Sequence, residues 1–296
     1  MGVKGAWFEA AKVQGLTMVR FILVSVALVA FGGGAYFLFT PDGRQLIDRI
    51  SVNWDRKQHI ATYRAGKPLP STPDHSRFAA RMESAGVKPG MPVHLRIYKL
   101  ESEIELWVQK NGRFERFATY PICMWSGRLG PKLKEGDRQA PEGFYTVTKD
   151  ALNPNSREHL SFNLGFPNVY DRGKGRTGSF LMVHGGCASI GCYAVTDRVV
   201  DEIWAFVTKA LDNGQARIPV HAFPFRMTER NLRLRSGDSW AGFWGDLKKG
   251  HELFARDGVP PKVSVCDGRY VFEKGSPATV DSAVEAHCPD AVAGKA

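Results

Sequence analysis

Cysteine is scarce. Five residues in 296 are too few for a scaffold of disulfides and odd in number, so an oxidising compartment leaves at least one thiol unpaired or bonded to another molecule. Runs of basic residues are absent as well. Lysine and arginine total 40 against 30 acidic residues, a net charge of +10 that suits a polyanionic partner. Yet the bases are scattered, with no basic helix and no zinc-finger or ribonucleoprotein pattern, which argues against nucleic acid as the partner. No internal repeat is visible, and a mean hydropathy of −0.25 excludes a polytopic membrane protein. What remains, 43% hydrophobic residues with 31 glycines, is the composition of an ordinary globular chain. Its length admits one or two domains with a sizeable core.

One long apolar run is present. Phe21 to Phe39 are 19 consecutive uncharged residues, enough as a helix to span a hydrocarbon core of about 30 Å. The run predicts a single transmembrane anchor at 21–39, with a cleaved signal peptide ending near Gly33-Gly34-Ala35 as the alternative. Lys4, Lys12 and Arg20 precede it with Glu9 as the sole acid, so the positive-inside bias keeps residues 1–20 cytoplasmic and exports the rest. A single-pass membrane protein with everything after residue 40 exported is the expectation.

Residues 40–90 read as a linker and a short helix. Three prolines fall within 64–76, after which Ser76 can cap a helix that buries Phe78, Met82 and Ala85 and ends at Gly86. Period-two runs at Val93/Leu95/Ile97 and Ile104/Leu106/Val108, then Asn111-Gly112 and a run from Phe114 to Ile122, predict strands joined by hairpins. Further strands fit Phe144–Thr148, Phe180–His184 and Ile218–Phe223. One helix, capped by Thr196 or Asp197 and ended by Asn213-Gly214, repeats Val199, Val200, Ile203, Trp204, Phe206, Val207, Ala210 and Leu211 at helical spacing. The fold class is therefore β-rich α+β, with a β-rich domain at 91–225. A C-terminal α/β extension at 226–275 has Ser239 as helix cap and a hairpin through Asp267-Gly268. The small polar residues 276–296 read as a disordered tail, although Cys266 and Cys288 can bridge.

Chemistry concentrates in Ser179–Asp197. A strand delivers His184, two glycines release the backbone, and Cys192 follows Gly191 just ahead of the helix. A thiol beside an imidazole and a helix amino terminus has its thiolate favoured, and the N–H groups of Gly191 and Cys192 are placed to hold an oxyanion. Two other readings stay open on spacing alone: a disulfide between Cys187 and Cys192, and a zinc site on His184, Cys187 and Cys192 lacking a fourth ligand. No cofactor is called for.

The motifs His184-Gly185 and Ser189-Ile190-Gly191-Cys192 resemble the signature of the YkuD-type L,D-transpeptidases, cysteine enzymes of bacterial peptidoglycan. The short gap between histidine and cysteine, with Gly130–Tyr145, Phe166–Arg172 and Arg176–Asp197, is similar to the YafK-like branch. The resemblance implies a YkuD-like β-sandwich. It also implies Cys192 as nucleophile, His184 as base, the Gly185 carbonyl as the group orienting the imidazole, and Gly191 with Cys192 as oxyanion donors. Ser189 forms the local turn. A stem-peptide carboxylate needs a cationic partner, for which Arg176 and Arg172 are candidates, and Tyr170 is expected to line the same cleft. The partners implied are peptidoglycan stem peptides, a wall-attached lipoprotein, and the membrane through the anchor. Three readings follow: acyl transfer to an amine, hydrolysis that releases lipoprotein from the wall, and a non-catalytic wall-binding tether.

Overall fold

The alternating runs pair as their pattern requires. In the computed structural model, which describes residues 32–34, 36 and 40–289, β1 (Val93–Tyr98), β2 (Glu103–Lys110) and β3 (Arg113–Pro121) form an antiparallel meander. Leu95 stands opposite Leu106 and Ile97 opposite Ile104. Asn111 and Gly112 both take positive φ, +50° and +80°, the backbone that a tight hairpin with the right strand twist demands. The order of this sheet is β3-β2-β1-β10-β5, with β10 (Ile218–Phe223) parallel to β1 and β5 (Gly143–Val147) on its far side. A second sheet runs β4-β9-β8-β7-β6. Its strands are β4 (Met124–Trp125), β6 (Leu152–Ser156), β7 (His159–Asn163), β8 (Met182–His184) and β9 (Tyr193–Ala194).

Between the sheets and the long helix Asp197–Asp212 lies one apolar core that takes Val93, Leu95 and Ile97 from β1, Val183 from β8, and Val199, Ile203 and Phe206 from the helix. The alternate residues of β1 face the opposite way and are buried too. His94 and Arg96 pack against Phe254, at 5.0 Å between rings and 4.8 Å from guanidinium to ring, because the C-terminal unit covers that face. This unit consists of the helix Ala241–Asp257 and a third sheet, β12-β11-β13, built from β11 (Lys262–Cys266), β12 (Arg269–Glu273) and β13 (Glu285–Ala286). Its core joins Trp244, Leu247, Val263 and Tyr270 to Tyr98, Phe144 and Phe223 of the first sheet.

Several expectations need correction. Residues 40–90 are not mainly linker: α1 (Pro41–Arg64) is a helix of 24 residues. Thr40 caps it by accepting the Gly43 N–H at 3.1 Å, and Pro41 opens it. It lacks a wide apolar stripe: Val52 enters the core, Ile60 and Tyr63 pack beside Leu69, and specific polar contacts hold the rest. Asp48 pairs with Arg235 at 2.8 Å, and Arg56 sits 4.1 Å over Trp125. Asp74, not Ser76, caps the turn before α2 (Phe78–Ala85), and Gly86 ends α2 in the left-handed conformation as expected. The next helices are α3 (Val169–Gly173), α4 (Asp197–Asp212), α5 (Glu229–Arg233) and α6 (Ala241–Asp257). Ser239 does not cap α6, whose first flanking residue is Trp240 without a side-chain bond. The tail is placed as far as 289: Val280 is buried, β13 pairs with β11, and Cys288 bonds Cys266. Residues 290–296, and nearly all of the predicted anchor at 21–39, lie outside the described residues. Among the described residues no helix is long and apolar enough to cross a membrane.

Candidate active site

β8 and β9 run parallel, with Val183 opposite Tyr193 and His184 opposite Ala194. Cys192, one residue before β9, therefore comes level with Met182, whose N–H donates to Cys192 Sγ at 3.4 Å. Since side chains alternate along a strand, this register puts Cys192 and His184 on the same face of the sheet. Each residue also has a fixed local setting. His184 is buried, and its Nδ1 is 2.6 Å from the Gly185 carbonyl. Nδ1 must carry the proton in that bond, which leaves Nε2 as the basic nitrogen. The Cys192 thiol donates to the Phe180 carbonyl at 3.6 Å.

The turn that presents Cys192 is tied by hydroxyls. Ser189 Oγ accepts the Cys192 N–H at 3.0 Å and donates to the Cys192 carbonyl at 2.7 Å, while Ser126 Oγ accepts the Gly191 N–H and lies 3.1 Å from Ser189 Oγ. Gly191 has φ +119°, and a Cβ there would stand 3.2 Å from Leu181. Both N–H groups expected to hold an oxyanion are thus already bonded to serine hydroxyls in the free protein, and must change partners to receive one.

The loop between the two residues is equally determined. Gly186, at φ +80°, donates to Asp197 Oδ1 at 2.8 Å, and a Cβ there would fall 2.2 Å from Glu158. Asp197 spends its carboxylate on this loop, while Thr196 occupies the cap position of α4 without a side-chain bond. Cys187 is bonded to Cys123. This removes both the Cys187–Cys192 bridge and the zinc set, and leaves Cys192 the free cysteine among the described residues.

The electrostatics correct the expected thiolate. Burial pushes the Cys192 thiol above its ordinary value, against the opposing pull of the Met182 N–H and the Lys132 charge. Burial likewise lowers His184, opposed by its bond to Gly185 and the charge of Glu158. Both shifts favour the neutral forms, thiol and imidazole. The physical reason is desolvation: with the sulfur shielded from water the charged form loses its hydration, and the Met182 N–H and the Lys132 charge do not make up the difference.

The predicted carboxylate binders fare differently. Arg176 is buried, its guanidinium paired with Asp171 at 2.8 Å and lying 5.2 and 5.0 Å over Tyr170 and Phe243. Tyr170 is stacked at 4.2 Å on Tyr270. Both belong to the packing between α3 and the C-terminal unit and do not line a cleft, a correction that follows from an extension invisible in local sequence. Arg172 is exposed and folds back on the Pro167 carbonyl. Lys132, Ser126, Glu158 and Phe180 were missed by the sequence reading. Lys132 lies within the quoted Gly130–Tyr145 segment, but its charge reaches Cys192 only through tertiary folding. Phe180, whose carbonyl meets the thiol, is 71% exposed at φ +54°, and Ile190, two residues before Cys192, is 79% exposed. A bulky residue with positive φ is strained, and such strain gathers at functional sites.

Comparison with known proteins identifies the domain that carries these residues. The family model for the YkuD L,D-transpeptidase catalytic domain matches residues 99–221. The chain is 45% identical over 185 residues to the "Putative L,D-transpeptidase YafK" of Escherichia coli strain K12, covering 62% of this chain and 75% of that protein, and equally to its counterpart in strain O157:H7. Among solved structures, the helical cell shape determining protein Pgp2 of Campylobacter jejuni is 18% identical with a TM-score of 0.37, covering 61% of this chain and 68% of that one.

Proposed function

The chain belongs to the YkuD-type L,D-transpeptidase family, and we propose that it is a cysteine acyl transferase acting on the stem peptides of bacterial peptidoglycan through a thioester at Cys192. The observation that carries this reading is the pairing of an oriented imidazole, its Nδ1 held by Gly185, with a free thiol on the same sheet face. Sγ attacks the acyl carbon of an L,D-peptide bond while Nε2 of His184 takes the thiol proton. The oxyanion draws the N–H groups of Gly191 and Cys192 from the serine hydroxyls. The imidazolium then protonates the leaving amine as the C–N bond breaks, which leaves the acyl group on sulfur. An incoming amine, or water, gives its proton to His184 and its electron pair to the thioester carbon, and the thiol is restored. Exposed Phe180 and Ile190 offer apolar walls to the peptide.

The same reading places the catalytic unit outside the cytoplasm, anchored by residues 21–39. Two disulfides, Cys123–Cys187 and Cys266–Cys288, support an oxidising compartment.

The test is incubation of the full chain with disaccharide tetrapeptide and with lipoprotein-linked muropeptide, with products read by mass spectrometry. The expected result is a Cys192 acyl adduct and an amine-exchanged product, both lost in Cys192→Ala. Release of free lipoprotein with water incorporated would assign a hydrolase on the same thioester. Turnover by Cys192→Ala at the wild-type rate would overturn the mechanism.

A further inference from the structure

Away from Cys192, α1, the turn after β4 and the start of the C-terminal unit enclose a cavity of about 200 Å³. Five arginines line it against two aspartates, and the aspartates are already engaged. Asp48 holds Arg235 in two bonds at 2.8 Å, and Asp238 accepts from Gln45 and from the Trp240 N–H, each at 2.8 Å. Arg49, Arg56 and Arg128 have no carboxylate partner among the described residues, and Arg44 reaches Asp48 only at 3.6 Å. Arg56 donates to Asn53 and to the Gly127 carbonyl, at 3.2 and 3.0 Å, and stacks over Trp125. Its Nε is buried without any hydrogen-bond partner, and Arg44 Nε has only the Asp48 carboxylate at 3.6 Å, beyond hydrogen-bond reach. A buried N–H left unpaired is costly and calls for an acceptor. The guanidinium forks match carboxylate geometry, and the half-buried ring of Trp240 supplies a flat apolar wall beside them. Burial also lowers Arg56 to about 10, a cost that an anion in the cavity would relieve.

We infer that this cavity binds a second stretch of wall glycopeptide through a carboxylate held by Arg44 and Arg56, apart from the strand undergoing reaction at Cys192. The inference rests on the proposed function for the identity of the polymer. The cavity wall leads towards the reacting thiol: Gly127, which bonds Arg56, follows Ser126, which bonds the Gly191 N–H. A polymer seated here would keep the wall at the enzyme between turnovers.

The experiment titrates disaccharide tetrapeptide into the full-length Cys192→Ala protein in detergent and follows tryptophan fluorescence. Saturable quenching is expected, with affinity falling about tenfold in Arg56→Gln and in Arg44→Gln, and about tenfold when the carboxylates of the fragment are amidated. The Arg44 variant guards against an Arg56 variant that fails to fold, which thermal unfolding will report. Equal binding of free and amidated fragments, or unchanged affinity in both variants, would overturn the inference. So would arginine-dependent binding of phosphatidylglycerol vesicles with fragment binding unchanged. Turnover of the same fragment by wild type is scored separately. Fragment bound through the arginines but never processed retires the proposed reaction alone, whereas processing with arginine-independent binding retires the cavity alone.

Discussion

The hydroxyl of Ser126 accepts the main-chain N–H of Gly191, linking the turn after β4 to the residue before Cys192 across 65 positions of sequence. Through Ser189 the same chain of hydroxyls reaches both the N–H and the carbonyl of Cys192. The turn is thereby fixed before substrate arrives. Removing either hydroxyl leaves buried main-chain groups unpaired, so Ser126→Ala and Ser189→Ala should each cost about 1–2 kcal/mol of stability. Each should also slow acylation of Cys192 about tenfold or more. Urea unfolding together with single-turnover acylation by a carbapenem-type donor measures both. Unaltered acylation in the two variants would show that the network does not position the thiol.

The pH dependence of the site follows from burial. Because the His184 pKa is lowered, the imidazole stays neutral, and able to take a proton, as pH falls through the ordinary histidine value of about 6.5; acylation should decline only below that point. Because the Cys192 pKa is raised, its alkylation by iodoacetamide should rise with a midpoint above the ordinary thiol value of about 8.5. A midpoint below that value would reveal a standing imidazolium–thiolate pair. His184→Ala should lower the acylation rate about 10²–10⁴-fold through loss of the base.

The Cys123–Cys187 disulfide closes a stretch of 64 residues and pins the loop between His184 and Cys192. Chain entropy assigns such a closure about 4 kcal/mol. The double variant Cys123→Ser/Cys187→Ser should melt at least about 5 °C lower and acylate more slowly, because the loop that carries Cys192 loses its tether. Coincident melting curves would argue against the bond.

A further pH effect arises far from the site. His94 and His221 are buried with rings 4.3 Å apart, and His94 Nε2 and His221 Nδ1 lack partners. Burial, with Arg96 adding to it, lowers His94 to about 3 and puts His221 well below its ordinary value. Their folded values lie below the unfolded one, so the associated stability is complete above about pH 6.5 and lost as pH falls. The loss approaches about 1.4 kcal/mol per pH unit for each histidine. Urea titrations at pH 7 and pH 5 measure it, and equal stability at the two would show that these rings reach water when protonated.

The amino-acid sequence by itself determined the meander of β1 to β3, the strand ending at His184, the apolar face of α4 and the hairpin at Asp267-Gly268. In each, neighbouring residues carry the period or the turn. It also marked His184, Gly185, Gly191 and Cys192, since the motif is contiguous. Tertiary structure alone decided the rest. α1 has too little apolar periodicity to announce itself, because its contacts are single pairs such as Asp48 with Arg235. Arg176 looked free in sequence but is claimed by Asp171 and the rings of a unit that folds back from residues beyond 226. The thiol was expected to be ionised beside a helix, and the helix does begin where the sequence put it; but the surrounding fold shields the sulfur from water, so desolvation, a property of the tertiary structure, pushes towards the neutral thiol.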